Sequence, residues 1–570
     1  MARIRNIDVR NFRCLKGLEW QPSPGVNCLV GPGDAGKSSV LDAIDLCLGA
    51  RRSASFSDAD FHALDVNEPI SISITLGELD DSFKSMEAYG NYLRSFDAEN
   101  GEIDDEPAAG AETVLTLNLT VRSDLEPVWT LVSERAEALG QSRFLTWSDR
   151  IRLCPTRIGA FAENDLAWRR GSVLTKLSDE KAETSGALAD AARQARLAFG
   201  DIADKQLAET LGIVGATARD LGIDIGRHPK ALLDAHSVSF SGGTIALHNE
   251  AGIPLRGLGT GSARLLVAGL QRKAAKEATV ILVDEVEHGL EPHRLVRLLH
   301  SIGSKETPPP LQAFLTTHSP VVVRELAADQ LTVLKQGKDS HSVIDVGSKE
   351  DIQGTIRIFP EAFLGSSVLV CEGASEVGLV RGLDQFRTAD GALPMAASGV
   401  SLVDANGCDN ILRRANAFRS LGYRTNILRD DDAQPSKILE GLFVKKCGPI
   451  FKWRDGRALE DELFACLPYA AITKLLAYAI DLHGDELVEA HIKSASAGKL
   501  SLAACKAKAA PDVRACLAKA CATKQNPWFK NVSAMEHCGR EIVGPALATS
   551  EAGFRAVIEG VFGWIDDGRP

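Results

Sequence analysis

The chain has 570 residues, 45% of them hydrophobic and 25% charged, with a formal net charge of −12. That length allows two or three domains with ordinary cores, and the balance is that of a soluble globular protein. The charge argues against a protein coated in nucleic acid but leaves room for a local basic groove. The first residues, MARIRNIDVRNFRCL, carry no long apolar run, which reads against a signal peptide, and no stretch is apolar for long enough to span a bilayer. Twelve cysteines are scattered without a C-x-x-C pair, against a disulfide framework and in favour of a reducing, cytoplasmic setting.

In chain order, residues 3–30 read as two antiparallel strands, IRNIDVRNFRCL and VNCLV, around a turn at Pro22–Gly25. Gly31-Pro32-Gly33-Asp34-Ala35-Gly36-Lys37-Ser38 then follows a strand and opens a helix. This is G-x-x-x-x-G-K-S, in which backbone N–H groups cradle phosphates, Lys37 reaches the β and γ oxygens, and the Ser38 hydroxyl ligates Mg²⁺. Gly31, Gly33, Gly36, Lys37, Ser38 and Ser39 are the nucleotide-binding candidates. Residues 70–160 are rich in strand patterns (ISISITL, VLTLNLTV, WTLV, IRLCP), interrupted by Asp97–Glu112, which reads as an acidic connecting loop. Residues 165–235 turn helical in texture and read as an insertion that either dimerises or packs as a lid. Strand patterns return with SVSFSGG and TIALHNE from 237. Leu258-Gly259-Thr260-Gly261-Ser262 then opens a helix, and Val280–Val283 ends in Asp284-Glu285. In a P-loop ATPase, Asp284 positions Mg²⁺ and Glu285 polarises the attacking water. AFLTTHSP ends a strand in His318, where an imidazole can sense the γ-phosphate.

Beyond 350 the strands VLVCE, VSLVDANG and TNILRDDD alternate with helices, the pattern of a parallel α/β domain. Such sheets gather function at the carboxyl ends of their strands. Glu372, Asp404, Asp430 and Asp432 fall there, with Glu376 four residues into the first helix. Carboxylates repeated in this way point to divalent metal and, with two ions, to phosphodiester hydrolysis. Asp404 reads equally well as a capping carboxylate. Arg413, Arg414, Arg419, Arg424, Lys445, Lys446, Lys452, Arg454 and Arg457 cluster nearby in sequence, either as a DNA-guiding surface or as solvated helix faces. The five tyrosines fall in no recognisable DNA-gate module, so hydrolysis is favoured over strand transfer.

The order P-loop, long gap, Gly-Ser helix start, Asp-Glu strand and His strand resembles the ATP-binding-cassette ATPases of the RecF and SMC-head branch, over residues 1 to about 335. That resemblance implies ATP held between two heads, with Ser262 contacting the γ-phosphate on a second subunit. Val286 stands where that group usually has Pro. The Glu and Asp-x-Asp strand ends resemble the Toprim domain, and the two together resemble the OLD (overcoming lysogenization defect) family of prokaryotic nucleases. The fold class implied is α/β: an ABC-type ATPase with a helical insertion, then a Toprim domain with a parallel sheet. The expected boundaries are 1–164, 165–235, 236–350 and 351–570. By the same resemblance Glu372, Glu376, Asp430 and Asp432 are metal ligands, Glu460 is a further one, Glu462 a weaker candidate, and Lys530 a basic residue near the scissile phosphate. Glu285, Glu372, Asp430, Asp432 and Lys530 then form the catalytic set, and Glu372, Glu376, Asp404, Asp430, Asp432 and Glu460 the metal set. The implied cofactors are ATP with Mg²⁺ and a Mg²⁺ or Mn²⁺ pair. The implied partners are DNA and a second copy of the chain or more, with no membrane. Some members of the family pair with a UvrD-like helicase, as in Gabija, and others act alone. Three readings stay open: a DNA endonuclease for anti-phage defence or DNA processing, an RNA-cleaving effector, and an ATPase that binds without cutting.

Overall fold

A computed structural model describes residues 2–51, 53–159, 166–167, 172–177, parts of 187–220, 226, 229–231, 246–274, 280–347, 350–454, 456–508 and 510–568. The chain divides into two compact units: residues 1–13, 20–26 and 40–315 in the first, and residues 14–19, 27–39 and 316–570 in the second.

The first unit is built on an antiparallel sheet. Strands β1 (Arg3–Phe12), β4 (Ile70–Gly77) and β7 (Glu112–Val121) lie side by side. The outer edge of β7 is shared by β5 (Leu93–Phe96) and β8 (Pro127–Leu131), and β5 pairs on with β6 (Ile103–Asp104). Alternation of Ile, Val and Leu with polar residues drives one face of this sheet inward: Ile70, Ile72 and Ile74 are buried. A parallel trio follows, in which β10 (Val280–Val283) is flanked by β9 (Thr156–Ile158) and β11 (Gln312–Thr316). All four residues of β10 are buried, as a strand covered on both faces requires.

Several sequence expectations change here. IRNIDVRNFRCL is not one strand; Arg13, at φ +51, separates β1 from β2 (Leu15–Trp20). β3 (Val26–Val30), expected to lie antiparallel to the first strand, instead pairs in parallel with β12 (Leu331–Gln336). IRLCP is mostly helix, because Thr146 caps a turn running Trp147–Leu153 before β9 begins. The acidic segment 97–112 is more than a connection. It contains β6, and Asp105 pairs with Arg94 and Arg135 while accepting the Glu134 and Arg135 backbone N–H groups. The expected strand SVSFSGG lies outside the described residues. TIALHNE, described from Ala246 on, makes isolated bridges to Ala167 and Pro254. The described parts of 165–235 include the helices Val173–Leu177 and Ala208–Asp220.

The second unit holds β3, β12 and β13 (His341–Asp345), the last pair antiparallel. It then forms a four-stranded all-parallel sheet in the order β15-β14-β16-β17. Those strands are β14 (Ser367–Cys371), β15 (Val400–Asp404), β16 (Arg424–Arg429) and β17 (Phe451–Lys452). The helices Ala374–Ala389 and Cys408–Ser420 follow β14 and β15 in the chain. The helical tail folds back onto this domain. Gly378 and Gly382 open the Ala374–Ala389 helix to the helix Val532–His537: a Cβ at Gly378 would meet the Val532 carbonyl oxygen at 2.5 Å, and one at Gly382 the Glu536 carbonyl oxygen at 2.1 Å. The fold therefore ties residues near 530 to the helix that starts just after Glu372.

Gly382→Ala is expected to cost about 1–3 kcal/mol by overpacking this seam, measured by urea unfolding. Gly441→Ala, in a helix where a Cβ meets nothing within 4 Å, is the control and is expected to leave stability unchanged or raise it by up to about 1 kcal/mol. Equal effects of the two substitutions would refute the close-packing account.

Candidate metal centre and nucleotide elements

The carboxyl ends of β14 and β16 lie side by side, because Cys371 pairs with Leu428 in register. One step further along each strand come Glu372 and the Arg429-Asp430-Asp431-Asp432 run. Oxygens of Glu372, Asp430 and Asp432 come within 4.8 Å of one another, and this is the one such acidic group found among the described residues. Glu372 Oε2 accepts the Asp430 backbone N–H at 3.0 Å, and Asp430 Oδ1 accepts the Leu459 N–H at 3.0 Å. Glu376 is buried, in the first turn of its helix, with Oε2 accepting the Gly373 N–H at 3.0 Å. Glu460, also buried, opens the helix Leu459–Cys466.

Burial and crowding raise three of these acids, Glu372, Glu376 and Asp430. Burial, then the Glu372, Glu460 and Asp432 charges, pushes the Asp430 carboxyl up to about 8. Burial, together with Asp430, Glu460 and Glu372, holds Glu376 well above the usual carboxylate range. Glu372 is raised by burial and by Asp432, against the opposing pull of the Asp430 N–H, Arg429 and Lys530. Hard carboxylate oxygens with unbalanced negative charge suit Mg²⁺ or Mn²⁺, so this donor set fits the divalent ions that the sequence implies.

Among the expected site residues, the structure brings together Glu372, Asp430 and Asp432, with Glu376, Glu460 and Lys530 close enough to act on them electrostatically. Asp404 is not gathered in. Its register sets it level with Cys371, and it is not among the acids whose oxygens come within 4.8 Å of one another. Its Oδ1 accepts the Asn406 N–H at 2.7 Å, a local turn bond, whereas the cap of the following helix is Gly407, so Asp404 is not the capping carboxylate either. Glu462 is fully buried and engaged by Arg454 and Arg457 and by the Cys466 thiol, which is a structural arrangement.

Sequence reasoning missed Arg429. It is 1% exposed beneath the cluster, paired with both oxygens of Glu440 and donating to the Asp430 carbonyl. It locks the acidic turn in place. The signal was available: a guanidinium at the end of an apolar strand, followed by three acids. Much of the expected basic surface is also used internally. Arg424 donates to the Trp564 carbonyl, Arg414 to that of Asp404, and Arg454 pairs with Glu462 and Glu551.

The nucleotide elements belong to separate units. In the second, Gly31 follows β3, and Lys37, Ser38 and Ser39 open the helix Lys37–Leu48. Lys37 Nζ donates to the Gly31 and Pro32 carbonyls at 3.1 and 2.6 Å. Gly36 has φ +89, and a Cβ there would meet Cys14 Sγ and Leu15 Cδ2 at 2.9 Å, so neither the backbone nor the space admits a side chain. Gly33 has open space on its Cβ side. His318 follows β11 and is exposed. In the first unit, Asp284 and Glu285 end β10, and Glu285 adopts φ +44, an uncommon backbone for a non-glycine residue that clusters at functional turns. Arg264, fully buried, fixes that turn by donating to the carbonyls of Asp284, Glu285 and His288 at 2.8–3.0 Å. Arg157 reaches Asp42, Asp45 and Asp284. Ser262 lies in the first turn of the helix Thr260–Ala274, and its Oγ is bonded by Arg294 at 3.0 Å. Neither Arg264 nor Arg157 carries a motif signature.

An ATPase of the P-loop class joined to a Toprim domain is what these elements define. The family described as "AAA domain, putative AbiEii toxin, Type IV TA system" matches residues 26–324, more than half of the chain, and the chain belongs to it. The family described as "Overcoming lysogenization defect protein-like, TOPRIM domain" matches residues 363–432, so this is an OLD-family ATPase–Toprim protein. The DNA replication and repair protein RecF of Nitrosococcus oceani is 53% identical over 53 residues, 9% of this chain and 14% of that one. RecF of Chlorobium phaeovibrioides is 27% identical over 112 residues, 18% and 30% of the two chains. An OLD nuclease of Thermus scotoductus is 44% identical over 46 residues, 8% of each. The chain thus spans less than a third of each of these relatives. Among solved structures, an Smc head bound to the C-winged helix domain of ScpA covers 62% of this chain and 99% of its own, at 16% identity and a TM-score of 0.34. RecF-ATPrS of the RecFOR pathway covers 60% and 98%, at 13% identity and a TM-score of 0.29. No helix of the described residues is long and apolar enough to cross a membrane.

Raised carboxyl pKa values carry a sign. A group that resists ionising in the folded state destabilises it as pH rises from the ordinary range near ~4 through the folded value, about 8 for Asp430. In EDTA the melting temperature of this domain is therefore expected to fall between pH 6 and 8.5. Added Mn²⁺ should remove most of that slope, and Asp430→Asn should flatten it without metal. A metal-free melting temperature that is level with pH would refute the crowding. Separately, Arg264→Ala is expected to keep ATP binding while lowering hydrolysis about tenfold or more, through loss of the Glu285 turn. Unchanged turnover would show that the turn holds without it.

Proposed function

We propose that this protein is an ATP-regulated, divalent-metal-dependent DNA endonuclease. The observation that carries the reading is the convergence of Glu372, Asp430 and Asp432 at the ends of two adjacent parallel strands, backed by buried Glu376 and Glu460. Five acids at one place are expensive without cations, and burial has already raised three of them. Glu372, Asp430 and Asp432 would hold the metal, with Glu376 and Glu460 completing a second site. The chemistry a divalent pair supplies there is activation of water and neutralisation of the departing oxygen. Lys530, whose charge already favours ionised Glu372, would face the scissile phosphate. Arg429 holds the Asp430 backbone so that the carboxylates stay aimed at a common point.

In the ATPase, the glycines of 31–36, with Lys37, Ser38 and Ser39, would bind the phosphates of Mg²⁺-ATP. Asp284 would position Mg²⁺ and Glu285 the attacking water. His318, and Ser262 of a second copy, would read the γ-phosphate, which makes a homodimer the working unit. ATP would then set access to the Toprim site. The role proposed with this activity is prokaryotic defence against phage or other foreign DNA.

Supercoiled plasmid is expected to be nicked or linearised in Mg²⁺ or Mn²⁺ by the wild type. Asp430→Ala should cut at least about 100-fold more slowly. Lys37→Ala should lose the response to ATP while keeping the metal requirement. DNA left intact under every condition by a protein that still hydrolyses ATP would reject DNA cleavage, and cleavage of RNA instead would move the activity to that substrate. Equal phage plating on cells carrying wild type and Asp430→Ala would reject the defence role.

A further inference from the structure

The helix Lys437–Cys447 begins five residues after Asp432 and is tied to the acidic turn by the Glu440–Arg429 pair. Its inner face is set by Glu440, Phe443 and Cys447, of which Phe443 is 1% exposed. The opposite face is unusual for a surface helix. Ile438 is 77% exposed, Leu442 54% and Leu439 49%. At 100° per residue, Lys445 and Lys446 project from the same side as these three apolar residues. Lys437, Lys445 and Lys446 are exposed and make no ion pair among the described residues. Gly441, on an open flank, has nothing within 4 Å of a Cβ position.

A purely electrostatic DNA guide needs no exposed Ile and Leu. Lysines at both ends of the apolar stretch, Lys437 at its start and Lys445 and Lys446 in its last turn, complement a polyanion better than an apolar protein face. Both features are served by a nucleic acid whose bases are readily unstacked: lysines neutralise phosphates while Ile and Leu side chains wedge between base steps. Resting on the nuclease reading above, we propose that this helix is a base-contacting element that directs the Glu372–Asp430–Asp432 centre to DNA with unpaired or readily unstacked bases. It is placed to do so because Arg429 joins it rigidly to the turn that carries the acids. The substrate class is then distorted or partly single-stranded DNA, such as a bubble, gap or flap, in preference to a uniform duplex.

The experiment measures both binding and cutting. Fluorescence anisotropy with a fully paired oligonucleotide and with one carrying a five-base bubble is run on wild type, on Ile438→Ser/Leu442→Ser and on Lys445→Ala/Lys446→Ala, each in the Asp430→Ala background, so that binding is read whether or not the protein cuts. The parent is expected to bind the bubble about tenfold more tightly than the duplex. Ile438→Ser/Leu442→Ser should bring the two affinities together, while Lys445→Ala/Lys446→Ala should weaken both and reduce the salt dependence. Cutting by the same pairs with Asp430 intact should follow the same order, with ATP hydrolysis and melting temperature unchanged because the residues are exposed. A bubble preference that survives Ile438→Ser/Leu442→Ser, or its absence from the parent, overturns the proposal. Loss of self-association in that variant with DNA binding unchanged overturns it in favour of a protein interface. If binding behaves as expected and no variant cuts, the helix assignment stands and the nuclease reading fails by itself.

Discussion

The Toprim-side structure depends on one electrostatic constraint: several carboxylates are drawn to the same end of a parallel sheet and partly removed from water. Two adjacent parallel strands ending together deliver Glu372 and the turn carrying Asp430 and Asp432 to one place whether or not their charges agree. The surrounding structure compensates only in part. Backbone N–H groups of Gly373, Asp430 and Leu459 each donate to one of the acids, Arg429 lies beneath them, and Lys530 comes from the tail. Glu372, Glu376 and Asp430 remain raised all the same. The residual demand for positive charge is what gives this centre a chemical direction, because a site balanced by its own arginines would be only a salt-bridge network.

That demand explains how the rest of the domain is arranged. The glycines of the Ala374–Ala389 helix let the tail approach closely, and the tail brings Lys530. Arg429 uses its buried guanidinium on Glu440 and on backbone oxygen, which fixes the acidic turn and the following helix as one piece. Glu462, by contrast, is neutralised by Arg454 and Arg457. Two glutamates two residues apart on one helix thus belong to opposite categories, one in the acid cluster and one in a closed ion-pair network.

In the ATPase portion a buried arginine again determines local geometry. Arg264 gives three hydrogen bonds to the turn after β10 and holds Glu285 in a left-handed backbone that would otherwise be disfavoured. Arg264 is on the helix that Ser262 opens, so the serine expected to meet nucleotide and the glutamate expected to polarise water are joined through one side chain.

What the sequence by itself determined was whatever depends on local chemistry and chain order: the glycine-lysine-serine loop, the apolar strands ending in acids, the alternation that makes a parallel sheet, and so the joining of an ATPase to a Toprim domain. Residues 97–112 looked like a connector because composition does not reveal that Asp105 meets Arg94 and Arg135. VNCLV was read as a strand correctly, but its partner came from more than 300 residues away, beyond the reach of local pattern. Tertiary structure alone decided which acids converge. Asp404 stayed outside the converging acids in a local turn bond, ion pairing removed Glu462, and close helix packing brought in Lys530. The physical reason is that strand periodicity is written in neighbouring residues, whereas the sign and balance of charge at a point in space are set by side chains that folding brings together from distant parts of the chain.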